Sequence, residues 1–153
     1  MTIHHMHHVG LTVTDLDRSA EFYSTAFDYT EVMRQEMDAA YLGQIVGLPG
    51  ARVKMAHLRL RDAPHVLELF EYVTPVVKKA PLQPNHAGNA HLCFIVDDIA
   101  ADHARLVSQG VTFISPPVFI DAGRNAGGVS CYLRDPDGIT LELFQSPERN
   151  DDQ

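Results

Sequence analysis

Leu67-Glu68-Leu69-Phe70 and Leu141-Glu142-Leu143-Phe144 are the same four residues, once in each half of the chain. A glutamate inside a leucine/phenylalanine run is costly to bury as a bare carboxylate, so it needs a cation, a hydrogen-bond partner or a proton. Here that demand arises twice. Working back from each copy, the chain reads alike. His8 to Thr14 has strand character and is followed by Asp15-Leu16-Asp17-Arg18-Ser19, a helix start, with Leu16, Ala20, Tyr23 and Phe27 at helical spacing. A strand around Glu31 to Gln35, a loop punctuated by Gly43, Gly47, Pro49 and Gly50, and strands at Val53 to Leu60 and Val66 to Tyr72 complete the half.

The second half repeats that order. His91 to Val96 is strand-like, and Asp97-Asp98 caps a helix carrying Ile99, His103, Leu106 and Val107 and stopping at Gly110. Val111 to Ile114 is a further strand. Val129 to Leu133 and Ile139 to Phe144 pair through the turn Asp135-Pro136-Asp137-Gly138. The order β-α-β-β-β therefore occurs twice, an internal duplication. Its expected limits are about 6–73 and about 90–146, joined by a proline-rich connector at about 74–89 and followed by a tail, 147–153, all within one domain. The fold class is α+β, with two mostly antiparallel modules.

Each half opens with a histidine and closes with the strand glutamate, 60 residues later in the first half and 51 in the second. The longer glycine-bearing loop of the first half absorbs the difference. Two imidazoles and two carboxylates, His8, Glu68, His91 and Glu142, form a borderline-to-hard ligand set that suits one divalent ion: Zn, Ni, Co, Mn or Fe. Taken singly, a strand-initial histidine is more often merely exposed and a strand glutamate more often faces water. The matched repeat favours the metal.

The chain resembles the vicinal oxygen chelate superfamily, which includes glyoxalase I, methylmalonyl-CoA epimerase, extradiol dioxygenases, and fosfomycin- and bleomycin-resistance proteins. The resemblance runs from about His8 to Gln145. It is carried by His8-Val9-Gly10 with Asp15-Leu16-Asp17-Arg18-Ser19 and Phe22-Tyr23, by Leu67-Glu68-Leu69, by His91 with Val96-Asp97-Asp98, and by Tyr132 with Asp135-Pro136-Asp137-Gly138 through Glu142. It implies paired βαβββ modules forming a cupped sheet around a metal held by His8, Glu68, His91 and Glu142. It also implies a homodimer.

A carboxylate at Glu68 matches the isomerase and epimerase branches, so the expected activity is an isomerase, epimerase or lyase moving a proton beside a chelated carbonyl. Its substrate would be a small oxygenated molecule or a thioester, with Glu142 or Glu68 as the proton carrier. Two positions depart from bacterial glyoxalase I: Thr12 and Tyr72 stand where its glutathione-binding Arg and Asn are expected. An Fe(II) extradiol dioxygenase is the alternative, since Tyr132 to Gly138 agrees with part of that signature. Its preceding histidine is missing, with Arg124, Asn125 and Ala126 in that region. A third reading is a metal-free, non-catalytic small-molecule binding protein of the resistance type.

Composition excludes other classes. A net charge of −8, with no basic run beyond Lys78-Lys79, is a poor footprint for nucleic acid or anionic lipid. No apolar run approaches the roughly 18 residues of a membrane span, and no signal sequence follows Met1, so a cytoplasmic protein acting on a small molecule is expected. Cys93 and Cys131, in apolar strands, are expected to be reduced and buried. His57, Tyr132 and Arg124 are candidates for lining the substrate pocket, and His86 for a place beside His91. His4, His5 and His7 resemble a chance metal-binding tail.

Overall fold

The computed structural model describes residues 2–61, 63–78 and 83–147. The chain divides into two compact units, Met1–Ala80 and Pro81–Gln153, with the break inside the expected connector. Residues 79–82 of that connector, with Pro81, and all of the expected tail after Pro147 lie outside the described residues.

The first unit runs β1 (His8–Thr12), α1 (Leu16–Phe27), β2 (Tyr29–Met37), α2 (Ala40–Val46), β3 (Arg52–Leu60) and β4 (Val66–Thr74). Its sheet has the order β1-β4-β3-β2, with β1 parallel to β4 and the other pairs antiparallel. Asp15 starts α1 by accepting from the amide of Arg18 at 3.0 Å, satisfying a donor that the helix leaves orphaned. Strand alternation sends Ala56, Leu58, Leu67 and Leu69 to the face under α1, where Leu16, Ala20 and Tyr23 complete a buried core. The opposite face carries His8, His57 and Glu68.

One expectation fails here. The stretch from Gly43 to Gly50 is not all loop, because Ala40–Val46 forms a short helix. Gly43 sits in that helix because a Cβ would stand 2.8 Å from the carbonyl oxygen of Leu48, and Gly47, at φ 70°, ends it. Leu42 and Val46 pack on Ala51, Val53, Met37, Phe70 and Tyr72. α2 thereby covers the far end of the face that bears His57.

The second unit runs β5 (His91–Ile95), α3 (Ile99–Ser108), β6 (Thr112–Phe113), β7 (Val118–Phe119), β8 (Val129–Arg134) and β9 (Thr140–Gln145). The sheet order is β5-β9-β8-β6, with β7 also on β8 and only β5–β9 parallel. β7 adds a short strand to the expected order. Asp98 caps α3 through the amide of Ala101 at 2.9 Å. The 135–138 turn forms as expected, with Asp135 Oδ1 accepting from the amides of Asp137 and Ile139 and Gly138 at φ 86°. Among the described residues, no helix is long and apolar enough to cross a membrane.

The duplication extends to bonds. In the first unit the amide of Val13 donates to Phe70 O and that of Leu16 to Glu71 Oε2; in the second, Val96 donates to Phe144 O and Ile99 to Gln145 Oε1. Each repeated tetrapeptide is thus followed by a residue, Glu71 or Gln145, whose side chain clamps its strand to the start of a helix.

Candidate metal centre

In the first unit, parallel pairing of β1 with β4 sets Gly10 opposite Glu68 and brings His8 onto the same face. His8 Nε2 stands 3.3 Å from Glu68 Oε2. A Cβ on Gly10 would lie 3.7 Å from that oxygen, so a longer side chain there would crowd it. His57, directly across β3–β4 from Glu68, holds the other oxygen, Nε2 to Oε1 at 2.7 Å. Glu68 is buried, with its side chain 11% exposed, whereas His8 is 43% exposed.

The second unit repeats this with different neighbours. His91 Nε2 stands 3.2 Å from Glu142 Oε2, the histidine again 43% exposed and the glutamate 17%. The hydroxyl of Ser130 donates to Glu142 Oε1 at 2.6 Å. Tyr132, directly opposite Glu142, places its hydroxyl 3.5 Å from His91 Nε2, with the two rings tilted together.

Taken by itself, neither unit gathers three or more His, Cys, Asp or Glu side chains into an ion-holding group among the described residues. Each offers a pair, and the pairs suit a metal. Two ligands 2.0–2.2 Å from an ion stand about 3.0 Å apart at right angles and about 3.4 Å apart at the tetrahedral angle. The observed 3.3 and 3.2 Å fall between these and exceed the roughly 2.7–2.9 Å of a charge-assisted hydrogen bond. The donor types, neutral imidazole and carboxylate, are those of a borderline divalent ion.

Glu142 shapes its surroundings. Burial first, then the Glu142 charge and a hydrogen bond to it, push the Cys93 thiol up to about 11; burial and then the same charge push Cys131 to about 11. The Tyr132 hydroxyl is raised by burial, then by Glu142 and Cys93. Cys131 is buried as expected, but Cys93 is exposed: alternation puts it beside His91 on the open face of β5, while Leu92 and Phe94 point away.

Arg124 lies in the exposed stretch 121–127, and no contact joins it to His91 or Glu142 among those described. His86 is exposed in a turn, its backbone bonded to Gln83 and Asn89. His4 and His5 are exposed, but His7 does not behave as tail: its Nδ1 stands 2.8 Å from His8 Nδ1 and its carbonyl accepts from Val66. Sequence reading missed Ser130, the contact of His57 with Glu68, and this role of His7. The signal for Ser130 was its place two residues from Tyr132 on one strand face. A cavity of about 110 Å³ among Glu36, Met37, Asp38, Arg52, Val53 and Val73 lies toward the other end of β3 from His57.

A family model described as the Glyoxalase/Bleomycin resistance protein/Dioxygenase superfamily matches residues 5–143. The 2-epi-5-epi-valiolone epimerase of an Actinomyces species is 32% identical over 146 residues, which cover 93% of this chain and 79% of that protein. Lactoylglutathione lyase of Schizosaccharomyces pombe is 27% identical over 158 residues, covering 97% of this chain and 49% of the lyase, so the chain spans about half its length. The crystal structure of a glyoxalase family protein from Bacillus cereus matches with a TM-score of 0.81 at 23% identity, covering 96% of this chain and 97% of that one.

Proposed function

The chain belongs to the glyoxalase/bleomycin resistance protein/dioxygenase superfamily, and from that premise we propose that it is a divalent-metal-dependent epimerase or isomerase of a small oxygenated substrate. The duplicated His/Glu pair, with ligand-like spacing in both units, is the observation that carries the proposal. We take His8, Glu68, His91 and Glu142 as the ligands of one ion, the two units as modules of a single domain, and the working form as a homodimer. An epimerase among the relatives supports proton transfer. Thr12 and Tyr72, in place of glutathione-holding Arg and Asn, speak against the reaction named in the lyase relative.

Bound by these residues, a divalent ion would supply Lewis acidity to a substrate carbonyl. The chain's own part is proton handling and orientation. The carboxylate of Glu142 or Glu68, acting in turnover as base rather than as ligand, takes the proton from the carbon beside the carbonyl and passes it to solvent, and a solvent proton delivered to the opposite face inverts that carbon. His8 and His91 stay fixed, each beside its glutamate. The Tyr132 hydroxyl, raised above its ordinary range, remains protonated at neutral pH and can donate to a substrate oxygen.

The test is proton NMR in D₂O with metal-loaded protein and a panel of cyclic polyol ketones, 2-oxo compounds and thioesters. Loss of the signal from the carbon beside the carbonyl is expected, abolished in Glu142→Gln or Glu68→Gln whichever is the carrier. Full exchange in both variants would remove the glutamates from that role. Oxygen consumption with a catechol and Fe²⁺, in place of exchange, would replace the epimerase with a dioxygenase.

A further inference from the structure

We propose that His57 and Ser130 are the positioning residues of the two glutamates, each tying down one carboxylate oxygen so that only the other is presented beside the histidine; this rests on the metal reading above. In both units the division is the same. Glu68 gives Oε1 to His57 at 2.7 Å and turns Oε2 to His8; Glu142 gives Oε1 to Ser130 at 2.6 Å and turns Oε2 to His91. An ionised carboxylate only accepts, so His57 Nε2–H and the Ser130 hydroxyl are the donors.

The two donors do not occupy matching places in the repeat. His57 lies directly across from Glu68, whereas the residue directly across from Glu142 is Tyr132, which turns to His91 instead. Ser130 pairs with Phe144, one same-face place farther along β8. One arrangement is thus reached from two positions with two chemistries, so copying of a single residue does not account for it. What recurs is the constraint on the carboxylate.

That constraint has a chemical purpose. A carboxylate free at both oxygens can swing, or chelate an ion through both, and either changes the geometry offered to the histidine. With one oxygen bonded to the neighbouring strand, the glutamate contributes a single ligand atom at a set distance. The low exposure of Glu68 and Glu142 limits replacement of the lost donor by water.

Co²⁺ titration followed by visible absorption tests this on the full chain, independently of any substrate. His57→Leu and Ser130→Ala should each weaken Co²⁺ binding about 10- to 100-fold and alter the d–d bands. His57→Gln and Ser130→Thr, which restore a donor, should recover both affinity and spectrum. Ser130→Ala deletes one oxygen atom and keeps the fold in reach if His57→Leu does not. Unchanged affinity and spectrum in His57→Leu and Ser130→Ala, or conservative variants no better than the deletions, would overturn the proposal while leaving the metal reading intact. A wild-type chain that takes up no Co²⁺ would sink the metal reading, and this proposal with it.

Discussion

Removing the acceptor at position 71 should loosen the first unit more than the matching change at 145 loosens the second. The Leu16 amide donates to Glu71 Oε2 and the Ile99 amide to Gln145 Oε1, both at 2.9 Å, at the starts of α1 and α3. A charged acceptor contributes about 1.5–3 kcal/mol and a neutral one about 0.5–1.5 kcal/mol, and a helix N-terminus favours the carboxylate further. Glu71→Ala should therefore cost about 2 kcal/mol and Gln145→Ala about 1 kcal/mol. Since 1.4 kcal/mol is tenfold, hydrogen exchange at Leu16 should accelerate about 30-fold and at Ile99 about 5-fold. Glu71→Ala also strips Lys54 of its partner. Glu71→Gln separates the effects, because it removes the charge and keeps the acceptor, and it should fall between wild type and Glu71→Ala. Exchange measured residue by residue by NMR reads each unit separately. Position 71 is three residues after Glu68, and the clamp helps hold β1 against β4, so Glu71→Ala should also weaken metal binding. Exchange in Glu71→Gln as fast as in Glu71→Ala, or no change in Gln145→Ala, would refute the clamp.

Two further predictions concern the thiols of the metal-free protein. Burial and then Glu142 raise Cys131 from 9.0 to about 11, so the folded chain holds that proton more tightly than the unfolded one. Its contribution to stability is full below pH 9 and is lost as pH rises toward 11, a change of about 2–3 kcal/mol. Urea midpoints measured from pH 8 to 11 should show this fall, and Cys131→Ala should reduce it; an unaltered slope in the variant would count against it. Cys93 is exposed yet raised to about 11, so at pH 8 its thiolate fraction should be about two orders of magnitude below an ordinary thiol's, and its alkylation by iodoacetamide about tenfold slower once the greater nucleophilicity of the more basic thiolate is counted. Glu142→Gln should speed it, and ordinary reactivity in the wild type would argue against the crowded carboxylate.

Much of the fold was legible because its signals are local. Asp15 and Asp98 cap the helices that follow the two histidines, and Asp135 to Gly138 turns as its residues require. The repeated tetrapeptide located both strand glutamates, and parallel pairing then put each beside its histidine, as the matched spacing suggested. The rest depended on tertiary geometry. Gly43 reads as a loop residue until the close carbonyl of Leu48 shows why a helix carries it. Cys93 reads as core because Leu92 and Phe94 flank it, although it shares a face with His91. The contact of His57 depends on the register of β3 against β4, and Ser130 carries no signal apart from strand parity.

Metal content is the sharpest test of a site built from His8, Glu68, His91 and Glu142. The chain without residues 1 to 5, which keeps His7 against His8, would be purified without added metal and measured by elemental analysis beside His91→Ala. About one equivalent of Ni, Co, Zn or Mn per chain is expected, lost in His91→Ala. A chain that holds no metal and refuses every divalent ion offered would contradict it and leave a binding protein without metal chemistry.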